Sequence, residues 1–236
     1  PTGVGALDRR IRGLRAGKLV VIAGRPGMGK SALAGVIARS VARTGKLACF
    51  FSQEMGAEEH DQRYMSLASG VSATSIEQAT VRSDKMAHVV RAAQEMEDTP
   101  LWRDDTPRIT LPKIRSRVRR AVIESGCELG TIIVDHLGLM RWAGRRPHQQ
   151  SRQEEIGEYT AALKELAKEW GVPIVLLVQL NRACGQRGGD MRPQMSDLSE
   201  SGKIEQDADQ IVLLYRRGYY AEQIKSGRMK LQRYGR

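Results

Sequence analysis

The segment Gly24-Arg25-Pro26-Gly27-Met28-Gly29-Lys30-Ser31 matches the pattern G-x4-G-K-[ST] in full. Residues of these types at this spacing hold a polyphosphate. The glycines let successive backbone N–H groups turn inward around phosphate oxygens. A helix starting just after them adds its N-terminal dipole at the same point. Lys30 then reaches the β- and γ-phosphates, and the Ser31 hydroxyl can ligate Mg2+. With Ala32 closing the set, residues 24–32 are the expected binding site for ATP and its Mg2+.

Hydrolysis needs further groups. Asp135 ends the apolar run Thr131-Ile132-Ile133-Val134, where an acidic residue can hold the metal or its water, so Ser31 and Asp135 are the expected metal ligands. Glu54 follows Phe50-Phe51-Ser52-Gln53 and is the expected general base toward water. Gln179 ends Leu176-Leu177-Val178. From there it can register the γ-phosphate and relay its loss to the next loop.

These residues need strands to carry them. Short apolar runs predict strands at Lys18–Ala23, Leu47–Ser52, Thr131–Val134, Pro173–Val178 and Ile211–Tyr215, with Met229–Arg233 as a sixth candidate. Helical patterns fall at about Ser31–Ala42, Pro112–Glu124 and Arg152–Trp170. The polar stretch Gly56–Asp98 is also expected to be helical and to pack on one side of the sheet. Continuous apolar strands separated by helices imply an α/β domain whose mainly parallel sheet is covered on both faces. Ligands in such folds bind at the carboxyl ends of the strands, where Glu54, Asp135 and Gln179 fall.

Composition narrows the partners. The chain has 236 residues, with 38 Lys and Arg against 27 Asp and Glu, a net charge of +11. The excess suggests an acidic partner such as nucleic acid. It is segmental: residues 1–50 carry ten basic side chains and one acidic, whereas residues 51–100 carry four and nine. Cys49, Cys127 and Cys184 make neither a disulfide framework nor a metal pair, which points to a reduced, cytoplasmic setting. No run approaches the ~18 apolar residues of a membrane span, and the N-terminus does not read as a signal peptide. The chain begins at Pro1 without a methionine, as a fragment would.

Read together, these blocks resemble the ATPase domain of the hexameric replicative DNA helicases of bacteria and their phages (DnaB-like, with a RecA-type core). The resemblance rests on TGVGALD (Thr2–Asp8), RPGMGKS, FSQEM, PLWRDDTPRIT (Pro100–Thr110), IIVDHLGLM (Ile132–Met140), VPIVLLVQLNR (Val172–Arg182) and RPQMSDLSESGKIEQDADQIVLLYR (Arg192–Arg216). They run in the family's order over essentially the whole chain, and the last block is the most specific. The resemblance implies a RecA-like P-loop core over residues 1–236, without the family's N-terminal domain and linker helix. It implies a homo-hexameric ring that moves 5′-to-3′ on single-stranded DNA, with ATP sites between subunits and with primase or a helicase loader as further partners. An Arg from the neighbouring subunit completes each site in such rings, and Arg233 falls on that position, with Lys230 displaced by one residue from the family's Lys. Two departures stand out: His136 replaces the usual Tyr after the acidic strand end, and Ser199 replaces an Arg that resembles a DNA-backbone contact. Glu200 and Gly202 are retained.

Two loops would then face DNA. The first runs from Arg141 to Arg152 and carries Arg141, Arg145, Arg146 and Arg152. The second runs from Arg182 to Arg192 and carries Arg182, Arg187 and Arg192. Gly-rich basic loops suit contacts to phosphates that do not read bases. Trp142 is their only aromatic residue, so phosphate contacts should dominate over stacking. Arg115, Arg117, Arg119 and Arg120 read instead as a solvated or subunit-contact face. The same core also fits a RecA-type recombinase or another DNA-stimulated ATPase. A nucleotide-binding module without hydrolysis is a third reading, and Glu54 argues against it.

Overall fold

In the computed structural model, residues 1–136, 152–181, 192–198 and 201–219 are described. The strands are β1 (Leu19–Gly24), β2 (Leu47–Ser52), β3 (Leu101–Asp104), β4 (Leu129–Asp135), β5 (Ile174–Gln179) and β6 (Gln210–Leu213). The helices are α1 (Gly5–Ile11), α2 (Lys30–Ala42), α3 (Ala57–Ser69), α4 (Ala73–Glu77), α5 (Ser83–Asp98), α6 (Leu111–Ser125), α7 (Arg152–Trp170) and α8 (Ser201–Asp207). One six-stranded sheet runs in the order β3-β2-β4-β5-β1-β6, with every adjacent pair parallel. This is the α/β, RecA-like architecture expected. No helix among the described residues is long and apolar enough to cross a membrane.

The central strands are apolar on both faces because both faces are covered. Side chains alternate across a strand, so Leu19, Val21, Phe51, Ile132, Val134 and Leu176 share one face. They pack on Ile114 and Val118 of α6 and on Tyr159, Leu163 and Leu166 of α7. Val20, Ile22, Phe50, Ile133 and Leu177 point the other way, onto Ala34, Ile37 and Ala38 of α2. At roughly 1.5–3 kcal/mol per fully buried large side chain, this sandwich dominates the folding free energy.

One strand was not expected from the sequence. It is β3, a four-residue edge strand whose first three residues are only half-buried. An edge strand lacks a continuous apolar run, so hydropathy does not mark it. Met229–Arg233 lies outside the described residues. The polar stretch Gly56–Asp98 divides into α3, α4 and α5. This layer is tied to α2 by a bidentate ion pair: Arg39 Nε and Nη2 donate to Glu95 at 2.7 and 2.8 Å. That hydrogen bonding holds the Glu95 carboxyl below its ordinary range. The Arg39 guanidinium also lies 5.7 Å from the Tyr64 ring centre.

The block Arg192–Arg216 packs where it is described. Leu198 and Ile204 are core residues. Asp197 is buried and accepts a hydrogen bond from Gln194 N at 2.7 Å. Gly157 of α7 lets α8 close in, because a Cβ there would lie 2.8 Å from Lys203 Cγ. Asp209, at the entry of β6, accepts from Lys18 Nζ at 2.9 Å, from Leu19 N at 2.8 Å and from Lys164 Nζ. It thereby locks β6 beside β1. Burial alone would raise the Asp209 pKa, but the hydrogen bonds from Lys164, Lys18 and Leu19 outweigh it and bring it down to about 2.

Asp209→Asn should therefore lower the unfolding free energy by about 1–2 kcal/mol at neutral pH. The carboxylate's folded pKa is depressed, so its contribution is complete above the unfolded value of 3.8 and is lost as pH falls through about 2. Denaturant titrations of both proteins from neutral pH down to that range check this. A stability gap that stays constant with pH would rule out the charge as its cause.

Candidate active site

The site assembles at the carboxyl ends of four neighbouring strands. Gly24 ends β1 and pairs with Gln179 of β5. Ser52 ends β2 and pairs with Asp135 of β4. Beyond Ser52 the chain is pinned twice. Gln53 N donates to Asp135 O at 2.7 Å, and the Ser52 hydroxyl donates to Met55 O at 2.8 Å while accepting from Met55 N at 3.2 Å. This tight turn presents Glu54, whose side chain is 60% exposed. Gln179 is exposed as well.

Between β1 and α2 the glycine loop turns as its sequence demands. Gly27 and Gly29 adopt φ values of +77° and +92°, in the left-handed region that disfavours side chains. Lys30 Nζ donates to Gly24 O at 3.1 Å and to Arg25 O at 3.4 Å. Pro26, Gly27, Gly29 and Ala32 are exposed, and Met28 is buried. Ser31 Oγ, in the first turn of α2, donates to Asp135 Oδ2 at 2.5 Å. The expected set 24–32 and the expected Asp135 thus come together across the intervening end of β5.

Charge at this junction is finely opposed. Burial lowers the Lys30 pKa, and the negative charges of Asp135 and Glu54 push it back up. Burial raises the Asp135 pKa; the Ser31 hydrogen bond opposes that, as do the charges of His136 and Lys30, while Glu54 adds to it. His136, assigned no part by sequence, stands beside Glu54, with its Nε2 3.9 Å from Glu54 Oε2.

The donor set suits a hard cation. Asp135 Oδ1 is buried with no hydrogen-bond partner among the described residues, and Oδ2 already touches the Ser31 hydroxyl. No group of three or more His, Cys, Asp or Glu poised for a metal occurs among the described residues. One carboxylate and one hydroxyl fit Mg2+, which usually takes its other ligands from substrate phosphates and water.

Sequence reasoning missed one wall of the site. Leu214 and Tyr219, just past β6, cluster with Met28. A Cβ at Gly27 would lie 3.1 Å from Tyr219 Cε2, and one at Gly24 would lie 3.2 Å from Leu214 Cβ. These glycines therefore admit close approach of Leu214 and Tyr219. Nothing in the pattern around Tyr219 signals this, because the contact spans nearly the whole chain.

The expected DNA-facing residues are mostly not placed. Arg141, Arg145, Arg146, Arg182, Arg187 and Glu200 lie outside the described residues, as do Arg233, Lys230 and Ser199. Arg152 begins α7, and nothing is described of its side chain. Gly202 is exposed on α8, and a Cβ there would meet nothing within 4 Å, so packing does not explain its glycine. The basic run on α6 is largely used within the chain. Arg115 pairs with Glu169 at 2.5 Å, Arg117 with Asp104 at 3.4 Å and Arg120 with Glu124 at 2.6 Å.

Comparison with known proteins agrees with this geometry. Residues 1–234 match the model of the DnaB-like helicase C-terminal domain. The replicative DNA helicase DnaC of Bacillus subtilis is 38% identical over 227 residues, 96% of this chain and 49% of that protein. The replicative DNA helicase DnaB of Leifsonia xyli is 42% identical over 221 residues, 93% of this chain and 47% of that protein. The chain thus spans about half the length of the curated relatives it matches. A solved structure of a DnaB-like replicative helicase, described with its interactions with primase, superposes with a TM-score of 0.86 at 32% identity. The match covers 94% of this chain and 52% of that one.

Because the Asp135 carboxyl titrates above its ordinary 3.8 in the fold, its ionisation disfavours the folded state at neutral pH. Asp135→Asn should raise the unfolding free energy at pH 7. The gain should vanish below pH 3.8, where the wild-type carboxyl is protonated folded or unfolded. Thermal melts at neutral and acidic pH read the difference; a variant less stable than wild type at neutral pH would contradict it.

Proposed function

The chain belongs to the DnaB-like helicase C-terminal domain family, and on that premise we propose that residues 1–236 are the ATPase motor domain of a replicative DNA helicase. One observation carries the reading. The P-loop with Lys30 and Ser31, then Gln179, Asp135 and Glu54, stand at the ends of successive neighbouring strands.

In this reading the loop 24–32 binds the triphosphate of ATP. Lys30 exchanges its two carbonyl acceptors for phosphate oxygens. Ser31 and Asp135 hold Mg2+, which when bound neutralises charge developing on the phosphates. Glu54 takes the proton of a water whose oxygen attacks the γ-phosphorus. The bond to the β–γ bridging oxygen breaks, and ADP and phosphate leave. Glu54 is exposed, so water reaches it without a buried path. Gln179 lies in register with Gly24 and is placed to feel whether a γ-phosphate is present. Arg233 of a neighbouring subunit supplies the remaining positive charge.

The same reading assigns single-stranded DNA to Arg141, Arg145, Arg146, Arg152, Arg182 and Arg187, with Glu200 and Gly202 shaping the adjacent segment. It takes a homo-hexamer as the working form, moving 5′-to-3′, in the cytoplasm. Primase is a partner by analogy with the structural neighbour, and a helicase loader is another. Pairing of the α6 arginines within the chain supports leaving them out of the DNA surface.

Lys30→Ala should abolish hydrolysis, by at least about 100-fold, while circular dichroism stays that of wild type; retained turnover would sink the ATPase reading. Arg233→Ala subunits mixed with Glu54→Gln subunits should recover part of the activity each lacks alone, since each interface draws on both. No recovery would remove Arg233 from the site. If about three phosphates are neutralised per subunit, log affinity for single-stranded DNA should fall against log salt with a slope near −2 per subunit. A flat response would exclude phosphate tracking by the two loops.

A further inference from the structure

A cavity of about 180 Å³ opens between α2 and α3 above β2 and β3. Its walls include Ala32, Gly35 and Ala38 of α2, Phe50 of β2, and Tyr64 and Leu67 of α3. It meets the ATPase machinery above only at Ser31 and Ala32; its other walls take no part in that chemistry. We propose that this cavity binds a neutral molecule built on a single aromatic ring, and that its occupancy is felt by the P-loop through Ser31 at its rim.

Size sets the first limit. An apolar cavity of about 150 Å³ takes up benzene and stays otherwise dry, whereas drug-sized ligands need pockets of about 300 Å³ or more. One ring fits here. The walls suit it, being small aliphatic groups on one side and aromatic rings on the other.

Gly35 is the second observation. A glycine inside a helix costs about 1 kcal/mol relative to alanine, and close backbone packing usually explains it. Here a Cβ would meet nothing within 4 Å. The packing of the fold does not require this glycine. Its effect is to keep the cavity open between Ala32 and Ala38.

Charge is the third. Two guanidinium groups line the cavity, but both are engaged. Arg63 pairs with Glu59 at 2.7 Å and Arg103 with Asp61 at 3.0 Å. His60, also in the lining, is pushed down to about 4 by burial, reinforced by Arg63 and Arg103, so it is neutral. No uncompensated charge remains for an anion, and burying an unpaired one would cost several kcal/mol. A neutral ring bearing a hydroxyl, which can meet the polar rim at Ser31 and Ser66, is the better match.

The link to the P-loop is direct. Ser31 lines the cavity and donates to Asp135. A ring seated against α2 bears on the turn that places this hydroxyl. This regulatory half rests on the proposed ATPase activity; the binding half does not.

Phenol is the probe, read by saturation-transfer NMR on the domain without nucleotide. Transfer should occur with wild type and with Gly35→Ala, which leaves most of the space. It should be lost with Gly35→Leu and with Leu67→Trp, which fill the cavity from opposite walls, while the melting temperature of Gly35→Leu stays at or above that of wild type. Equal transfer in wild type and both filled variants, or none in wild type, overturns the site. Displacement of phenol by ADP would assign the cavity to the nucleotide and also overturn it. Saturating phenol should slow ATP hydrolysis by wild type about twofold or more and leave Gly35→Leu at its own rate. Bound phenol with unchanged hydrolysis overturns the coupling alone, and absence of any hydrolysis without phenol points instead to failure of the ATPase reading.

Discussion

A carboxylate with no measurable exposure, Asp135, ends the central strand β4, and the rest of the site is organised around keeping it there. Burying a charge costs several kcal/mol unless partners compensate. Ser31 supplies one hydrogen bond and Lys30 an opposite charge. Both come from the turn after β1, which is not a sheet neighbour of β4. The order β2-β4-β5-β1 leaves β5 between them, so the P-loop must reach over the end of β5, where Gln179 lies. With strands about 4.8 Å apart, the turn after β2 and the P-loop are separated by roughly three such spacings. That is enough room for a triphosphate flanked by a metal on one side and an attacking water on the other. Among the described residues compensation is incomplete, since one oxygen of Asp135 is left without a donor. A polar group left in that condition is a place where binding energy can be gained.

The charge of the molecule follows a similar logic of local compensation. The basic block 1–50 and the acidic block 51–100 meet across α2 and α5, where Arg39 and Arg43 converge on Glu95. Lys18 and Lys164 converge on Asp209, and three arginines of α6 have carboxylate partners. These particular basic side chains hold helices and strands together and are not free for a polyanion. The net excess of +11 is a poor guide to where a polyanion would lie, and the two basic loops remain the better candidates.

Legibility along the chain depended on how local each signal was. The P-loop could be read outright because its chemistry is carried by eight consecutive residues. The strands β1, β2, β4 and β5 stood out because burial on both faces forces continuous apolar runs, and the observed ends differ from the expected ones by no more than about two residues. Edge strand β3 escaped notice because its four residues are mostly half-covered and carry no continuous apolar run. Asp135 and Gln179 were placed as polar residues ending apolar strands, and Glu54 as one just beyond such a strand, a local mark. Asp209 sits in the family-specific block, yet its role in pinning β6 became visible only with Lys18 and Lys164 beside it.

The sequence by itself determined that a glycine-rich P-loop turn joins a buried strand to a helix, that the sheet is mainly parallel, and which strand ends carry polar groups. Those properties follow from backbone preferences and hydropathy over a few residues. Only the tertiary structure decided which strand ends are neighbours, that Ser31 bonds Asp135, that Tyr219 closes on Gly27, and that Gly35 opens onto a cavity. Each of these joins residues far apart in the chain or depends on the space between two packed helices. Such distances and volumes are set by the summed packing of the whole sheet, and no short segment carries that information.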